Sequence, residues 1–274
     1  RSLRLVLPKQ AALSDAGSVR VWRKRDRQLV AVVRPGETVS AIGPAPRQRL
    51  VRRHLLRVID GELRASLPQT LDYDTEYEAV AEAALVRGAQ FDGARWSFRT
   101  TAQRPVGDSI TVAQDGRAHF RTVQGAFDYA MSLPRAMPLT VNVRDGVYPE
   151  LLYLRDKDNL TLRGQSREAT VIRAANSDTL NPGSGSGQEA GAPGVQGGRA
   201  LFLAQDSDLL EIRDIALHNS TLRTDGHSPQ AETLFFSNRD GRLMVKNAHF
   251  LSEQDTLQLT GYSWFHQSLV EGNV

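Results

Sequence analysis

Cysteine is absent from the 274 residues, which excludes a disulfide framework and any thiolate nucleophile or thiolate metal site. Histidine is sparse, six in all, and no two stand at metal-ligand spacing, so neither a metal nor a cofactor is expected. No apolar run approaches the roughly 20 residues that cross a bilayer, so no membrane span is expected. The opening Arg-Ser-Leu-Arg-Leu-Val-Leu-Pro is too short an apolar stretch for a signal peptide. A mature secreted chain would look the same after cleavage, so this leaves the compartment open. What is present is ordinary for a globular protein: 40% hydrophobic and 24% charged residues, in a length that suits one large domain or two of common size.

The net charge of +3 conceals an uneven distribution. Residues 1–67 carry 15 Lys/Arg against 5 Asp/Glu, and the remainder carries 19 against 26. The densest basic cluster is Arg23-Lys24-Arg25-Asp26-Arg27, followed by Arg47, Arg49, Arg52 and Arg53. Such a front attracts a polyanion or forms a solvated face. No element that docks into a nucleic-acid groove is recognisable, so nucleic acid is not an expected partner.

The first hundred residues read as short strands between turn formers: Leu3 to Leu7, Val19 to Trp22, and Leu29 to Val33. Leu55 to Ile59 and Leu63 to Leu67 flank Asp60-Gly61, the dipeptide that supplies the positive φ angles of a tight hairpin. This pattern predicts an antiparallel β-sandwich of immunoglobulin-like type over residues 1–103. The alanine-rich run Glu76 to Val86 reads either as strand or as helix. The polar, aperiodic stretch 99–108 contains the domain boundary, and the second domain spans 104–274.

There the pattern changes. Ile110-Thr111-Val112 reads as a strand, and Phe120 to Met131 places Val123, Ala126, Phe127 and Ala130 at helical spacing. A helix here would cover the open end of a β stack. Strand phrases then recur at Leu139–Val143, Leu160–Gly164, Leu210–Asn219, Leu243–Ser252 and Ser263–Gly272. Equivalent positions stand 33 residues apart from Ile212 to Val245, then 20 from Val245 to Phe265. Strand-only repeats of this length predict a parallel β-helix, with insertions in surface loops. The glycine-rich stretch 182–198 is one such loop. It lacks the Gly-Lys-Ser/Thr of a phosphate loop and opens no helix.

Three segments carry a family resemblance over residues 109–274. Asp145-Gly146-Val147-Tyr148-Pro149-Glu150 is similar to the Gly-x-Tyr-x-Glu segment of pectinesterases. Gln230-Ala231-Glu232-Thr233-Leu234 resembles their Gln-Ala segment, and Gln254-Asp255-Thr256-Leu257 their Gln-Asp-Thr-Leu segment. Glu232 and Gln258 depart from the plant pattern and look like the bacterial branch, which also tends to carry an extra N-terminal β domain. The resemblance implies an all-β chain: an immunoglobulin-like sandwich followed by a partial right-handed, single-stranded parallel β-helix.

It also implies roles. Asp255 would be the general acid that protonates departing methanol and then the base that activates water. Such an acid must start protonated, which burial beside a second carboxylate favours. Gln230 and Gln254 would donate hydrogen bonds to the tetrahedral oxyanion. Of Trp264 and Phe265, which alternate along a strand, one would be buried and the other border a substrate groove. In the family, the residues after an ending such as Val270-Glu271-Gly272-Asn273-Val274 bring the nucleophilic aspartate. The chain stops before it, so the fragment is expected to be inactive alone.

The leading expectation is therefore a cofactor-free carboxylic ester hydrolase, secreted or periplasmic and monomeric, acting on methyl-esterified pectin (homogalacturonan). An acyl-thioester hydrolase on the same scaffold and a non-catalytic polysaccharide-binding β-helix are the alternatives.

Overall fold

The computed structural model describes residues 2–68, 70–101, 103–183, 198–224 and 229–273. Most of the expected glycine-rich loop, residues 184–197, lies outside them, as does Val274. The chain forms two compact units: Arg1–Ser40 with Arg52–Arg104, and Ala41–Val51 with Pro105–Val274.

The first unit is antiparallel. One sheet joins Ser2–Val6, Glu62–Ser66 and Leu56–Ile59, and a second orders Ala94–Arg99, Glu76–Ala81, Val19–Arg23 and Gln28–Val33. Period-two burial builds their shared core from Val19, Val21, Val33, Leu56, Leu63, Tyr77 and Ala79. Asp60 (φ 53°) and Gly61 (φ 74°) form the expected hairpin turn, pairing Ile59 with Glu62. The alanine-rich run is extended from Glu76 to Ala81 and ends in a single 3-10 turn, Ala83–Leu85. Tyr77, Ala79 and Ala81 face the core while Glu76, Glu78 and Val80 alternate outward. That two-residue period outweighs the helical propensity of alanine, because one face must be buried.

The second unit is a coil of parallel strands with three faces. Ile110, Val141, Leu162, Ile212, Val245 and Phe265 stack in register along the first face. Tyr148 and Ile172 stack in register on the second, as do Leu217 and Phe250. Leu152, Phe202, Leu234 and Leu257 line the third. These columns form one continuous core, because each coil buries its apolar rungs only against its neighbours. Every turn from one face to the next needs a sharp bend. Left-handed backbone at Asp214 (φ 55°), Asn247 (φ 50°) and Gln267 (φ 51°) supplies it. Asp and Asn adopt that conformation at low cost, and Asn247 Nδ2 donates to Asp214 Oδ1 at 2.8 Å, linking consecutive bends.

The helix Val123–Met131 packs Val123, Ala126, Phe127 and Ala130 onto the end of this core. The Thr122 hydroxyl accepts from Gly125 N at 3.1 Å. Both Glu150 oxygens accept from the backbone, Val123 N and Gln124 N, each at 3.0 Å. The glutamate of the Gly-x-Tyr-x-Glu segment thus satisfies the exposed donors of a helix start and meets its positive dipole end. In the same segment Gly146 takes a φ of 147° and Tyr148 is buried, its hydroxyl donating to Arg144 O at 2.8 Å. The protein is therefore all-β apart from short helical pieces, with a curled parallel sheet as its larger part.

Two cations lie in the interior of this unit. The Arg49 guanidinium donates to the carbonyls of Leu152 and Gly198, both at 2.8 Å, and of Ala200 at 2.5 Å. Burial pulls its pKa down to about 9, opposed by Tyr153. Lys157 donates through Nζ to the carbonyls of Pro134, Arg135, Met137 and Asp158. Each cation is thus satisfied by several backbone carbonyls.

Candidate functional site

The strand Leu234–Gln254 runs through all three faces, and the residues just beyond its end stack on its start in the next coil. Leu234 pairs with Leu257, and Thr233 N donates to Thr256 O at 2.9 Å. The Ser252 hydroxyl donates to Ala231 O at 2.5 Å. This register sets the Gln254-Asp255-Thr256 segment directly against the Gln230-Ala231-Glu232-Thr233 segment, at the corner between the second and third faces. Gln230, Gln254 and Asp255 therefore come to one corner, all half-buried.

Asp255 occupies the bend itself, with φ 54°. Its carboxylate accepts no hydrogen bond from any described residue. The Gln230 carbonyl accepts from Asp178 N at 3.0 Å, while its side-chain amide makes no hydrogen bond with the described residues. Gln254 is held through its backbone, N–H to the Ser252 hydroxyl at 3.3 Å and C=O from the same hydroxyl at 3.1 Å. Thr256 is fixed by donation to Glu271 O at 2.9 Å. A Cβ on Gly272 would stand 2.2 Å from that Thr256 hydroxyl, which explains why glycine follows Glu271 there.

The floor of the corner holds two groups that sequence reasoning did not assign. Glu232 is buried, and both its oxygens accept from Arg199 Nε, at 2.6 and 2.9 Å. Burial pushes its carboxyl above the usual glutamate range; Arg199 opposes the shift and the nearby charge of Asp255 adds to it. Beneath it lies a buried asparagine cluster. Asn219 Nδ2 donates to Asn176 O at 2.8 Å and to Glu232 O at 3.0 Å, and Asn181 Nδ2 donates to Asn176 Oδ1 at 2.7 Å. The only signals for these groups were Glu232 as a departure from the plant pattern and Asn219 at a strand end.

Trp264 and Phe265 part as strand alternation dictates. Phe265 turns inward against Phe250, ring centroids 6.0 Å apart, and packs on the core. Trp264 faces outward, 54% exposed, and stacks on His266 at 5.4 Å.

Successive turns of a parallel β-helix thus bring carboxyl and carboxamide side chains to one corner. A family model described as pectinesterase matches residues 109–274, and the chain belongs to the pectinesterase family. Pectinesterase A of Dickeya chrysanthemi is 27% identical over 211 residues, covering 76% of this chain and 50% of that protein. The probable pectinesterase/pectinesterase inhibitor 64 of Arabidopsis thaliana is 29% identical over 171 residues, 61% of this chain and 26% of that one. The chain thus spans half or less of the length of these relatives. Among solved structures, the pectin methylesterase PemA from Erwinia chrysanthemi aligns over 62% of this chain and 51% of its own, at 23% identity and a TM-score of 0.47. The pectin methylesterase from carrot aligns over 63% and 49%, at 21% identity and the same TM-score of 0.47.

Proposed function

We propose that the protein to which this chain belongs hydrolyses the methyl esters of homogalacturonan, giving pectate and methanol, at the corner built by Gln230, Gln254 and Asp255. One observation carries this reading: the register that sets the Gln-Asp-Thr segment against the Gln-Ala segment leaves an uncapped carboxylate beside two glutamines, in a member of an esterase family. In this scheme a carboxylate nucleophile adds to the ester carbonyl, and the two carboxamides donate to the resulting oxyanion. Asp255 gives its proton to the departing methoxide, then takes one from the water that cleaves the acyl-enzyme.

The family resemblance assigns the nucleophile to an aspartate beyond Val274, and no aspartate follows Asp255 in these 274 residues. On this reading the chain alone releases no methanol. The exposed Trp264 borders the sugar-binding surface, and Phe265 supports it from the core. The first unit, residues 1–40 and 52–104 with antiparallel sheets around one core, is an immunoglobulin-like sandwich. The coil is right-handed, and the protein works as a secreted or periplasmic monomer.

The test is Asp255→Asn in a protein extended through the following coils. Methanol release from methylated pectin falls by about a hundredfold or more, with an unchanged circular dichroism spectrum. Unchanged turnover, or methanol release by the 274 residues alone at the rate of the extended protein, removes the proposed machinery. Turnover of an acyl thioester in preference to pectin would favour the thioesterase reading instead.

A further inference from the structure

The antiparallel unit has a groove that the proposed reaction does not use. It has a volume of about 550 Å³ and is lined by Trp22, Arg23, Lys24, Arg27, Glu78 and Arg95. Along Val19–Arg23 the core takes Val19 and Val21, whereas Trp22 lies in register between Leu29 and Glu78 and does not join that core. A tryptophan outside the core, ringed by charged side chains, offers its π face to the C–H face of a sugar ring and its N–H to a hydroxyl.

The charged groups around it are held in place. Arg23 Nη2 pairs with Asp26 at 2.7 Å, and its Nη1 with Asp72 at 3.0 Å. Arg95 pairs with Glu78 at 2.7 Å and Lys24 with Glu76 at 3.4 Å. Donors ordered in advance lose less conformational freedom when a ligand arrives. The Lys24–Glu76 pair is exposed, so exchanging it for a ligand oxygen costs little. Arg27, at a φ of 55° in the turn before Gln28–Val33, has no side-chain partner among the described residues. It is the vacant cation, and the lining sets four cations against one acid. A guanidinium of this kind is matched by a carboxylate. Nucleic acid fits less well: its affinity comes from a track of phosphate contacts, and here most cations already hold acids around a single ring.

We propose that this groove binds a carboxylated sugar, an anionic saccharide site separate from the esterase corner. The choice of galacturonate among uronates rests on the function proposed above. In that setting the groove would hold de-esterified chain, the product of the reaction.

The experiment is calorimetric titration of the 274-residue chain with a short, fully de-esterified oligogalacturonate, alongside its methyl-esterified form and a single-stranded oligonucleotide. The expected result is binding of the de-esterified oligomer, weakened about tenfold by Trp22→Ala and several-fold by Arg27→Gln, and retained by Trp22→Tyr. The esterified oligomer binds more weakly. Should Trp22→Ala fail to fold, Arg27→Gln and the esterified oligomer carry the same decision. Binding insensitive to both Trp22→Ala and Arg27→Gln overturns the proposal, as does an oligonucleotide bound equally tightly. Because no step reads methanol, failure of the esterase reading leaves this result standing, and the converse holds.

Discussion

Glu232 is an acid held away from water. Its carboxyl is almost wholly withdrawn from solvent, yet it receives a charged partner, Arg199, and has a second acid, Asp255, on the coil above. Its folded pKa lies above the usual 4.5, with burial as the main cause. The folded state therefore holds the proton more tightly than the unfolded chain does. The corresponding stability is complete below pH 4.5 and is lost as pH rises through the raised value. Glu232→Gln should flatten that part of the stability–pH curve, measured by denaturant midpoints from pH 4 upward. Removing the cation instead leaves a buried charge unpaired: Arg199→Ala should cost about 3–5 kcal/mol at neutral pH and less in acid, where Glu232 is neutral. A loss equal at both ends of the range would show that Arg199 acts through packing alone. None of this was legible from residue order. Glu232 drew notice only as an unusual third residue in a motif, because its burial and its partner depend on which coil lies above and which below.

Among the elements, the helix Val123–Met131 was legible and its anchor was not. Apolar residues at helical spacing mark it, and the structure starts it at Val123 where the apolar pattern begins at Phe120. The residues between belong to the entry: Phe120 bridges to Val112 and Thr122 caps the first turn. Its second cap, Glu150, comes from a distant corner. Glu150→Ala should cost about 1–2 kcal/mol, through two lost hydrogen bonds and a lost charge at the dipole's positive end. A chemical-denaturation midpoint shift reads this directly, and Glu150→Gln should recover part of the loss. A shift no larger than that of an exposed Glu→Ala change would separate this segment from the helix. The strands were legible for a different reason. Alternation of apolar and polar residues marks strands such as Leu139–Val143 and Leu160–Gly164, and several bends carry Asp or Asn at left-handed positions. The run at 76–86 was ambiguous because alanine suits both elements, and only the opposing sheet selects one.

At the scale of the molecule, the two units keep separate apolar cores. The coil's core is a set of columns, so a cavity in one rung removes contacts on both sides of it. Ile212, buried between Leu162 and Val245, is such a rung. Ile212→Ala should lower the stability of the coil by about 2–5 kcal/mol. Thermal unfolding followed at Trp264 should move to lower temperature, while an equally buried change in the other core, Val21→Ala, should leave the Trp264 signal where it was. Coupled shifts in both variants would show that the cores do not unfold independently. The domain boundary read from sequence assigned residues 41–51 to the first unit, whereas their contacts place them with the second. A polar linker is visible in sequence; a ribbon that crosses between units is not, because its contacts are tertiary. Sequence by itself determined the strands, their bends, the repeat and the family, because these depend on local periodicity and on short motifs of fixed spacing. Tertiary structure alone decided which residues share a corner. In a coil whose turns differ in length, the side chains that meet at Asp255 are chosen by stacking register, and register is a property of neighbouring turns rather than of any one segment.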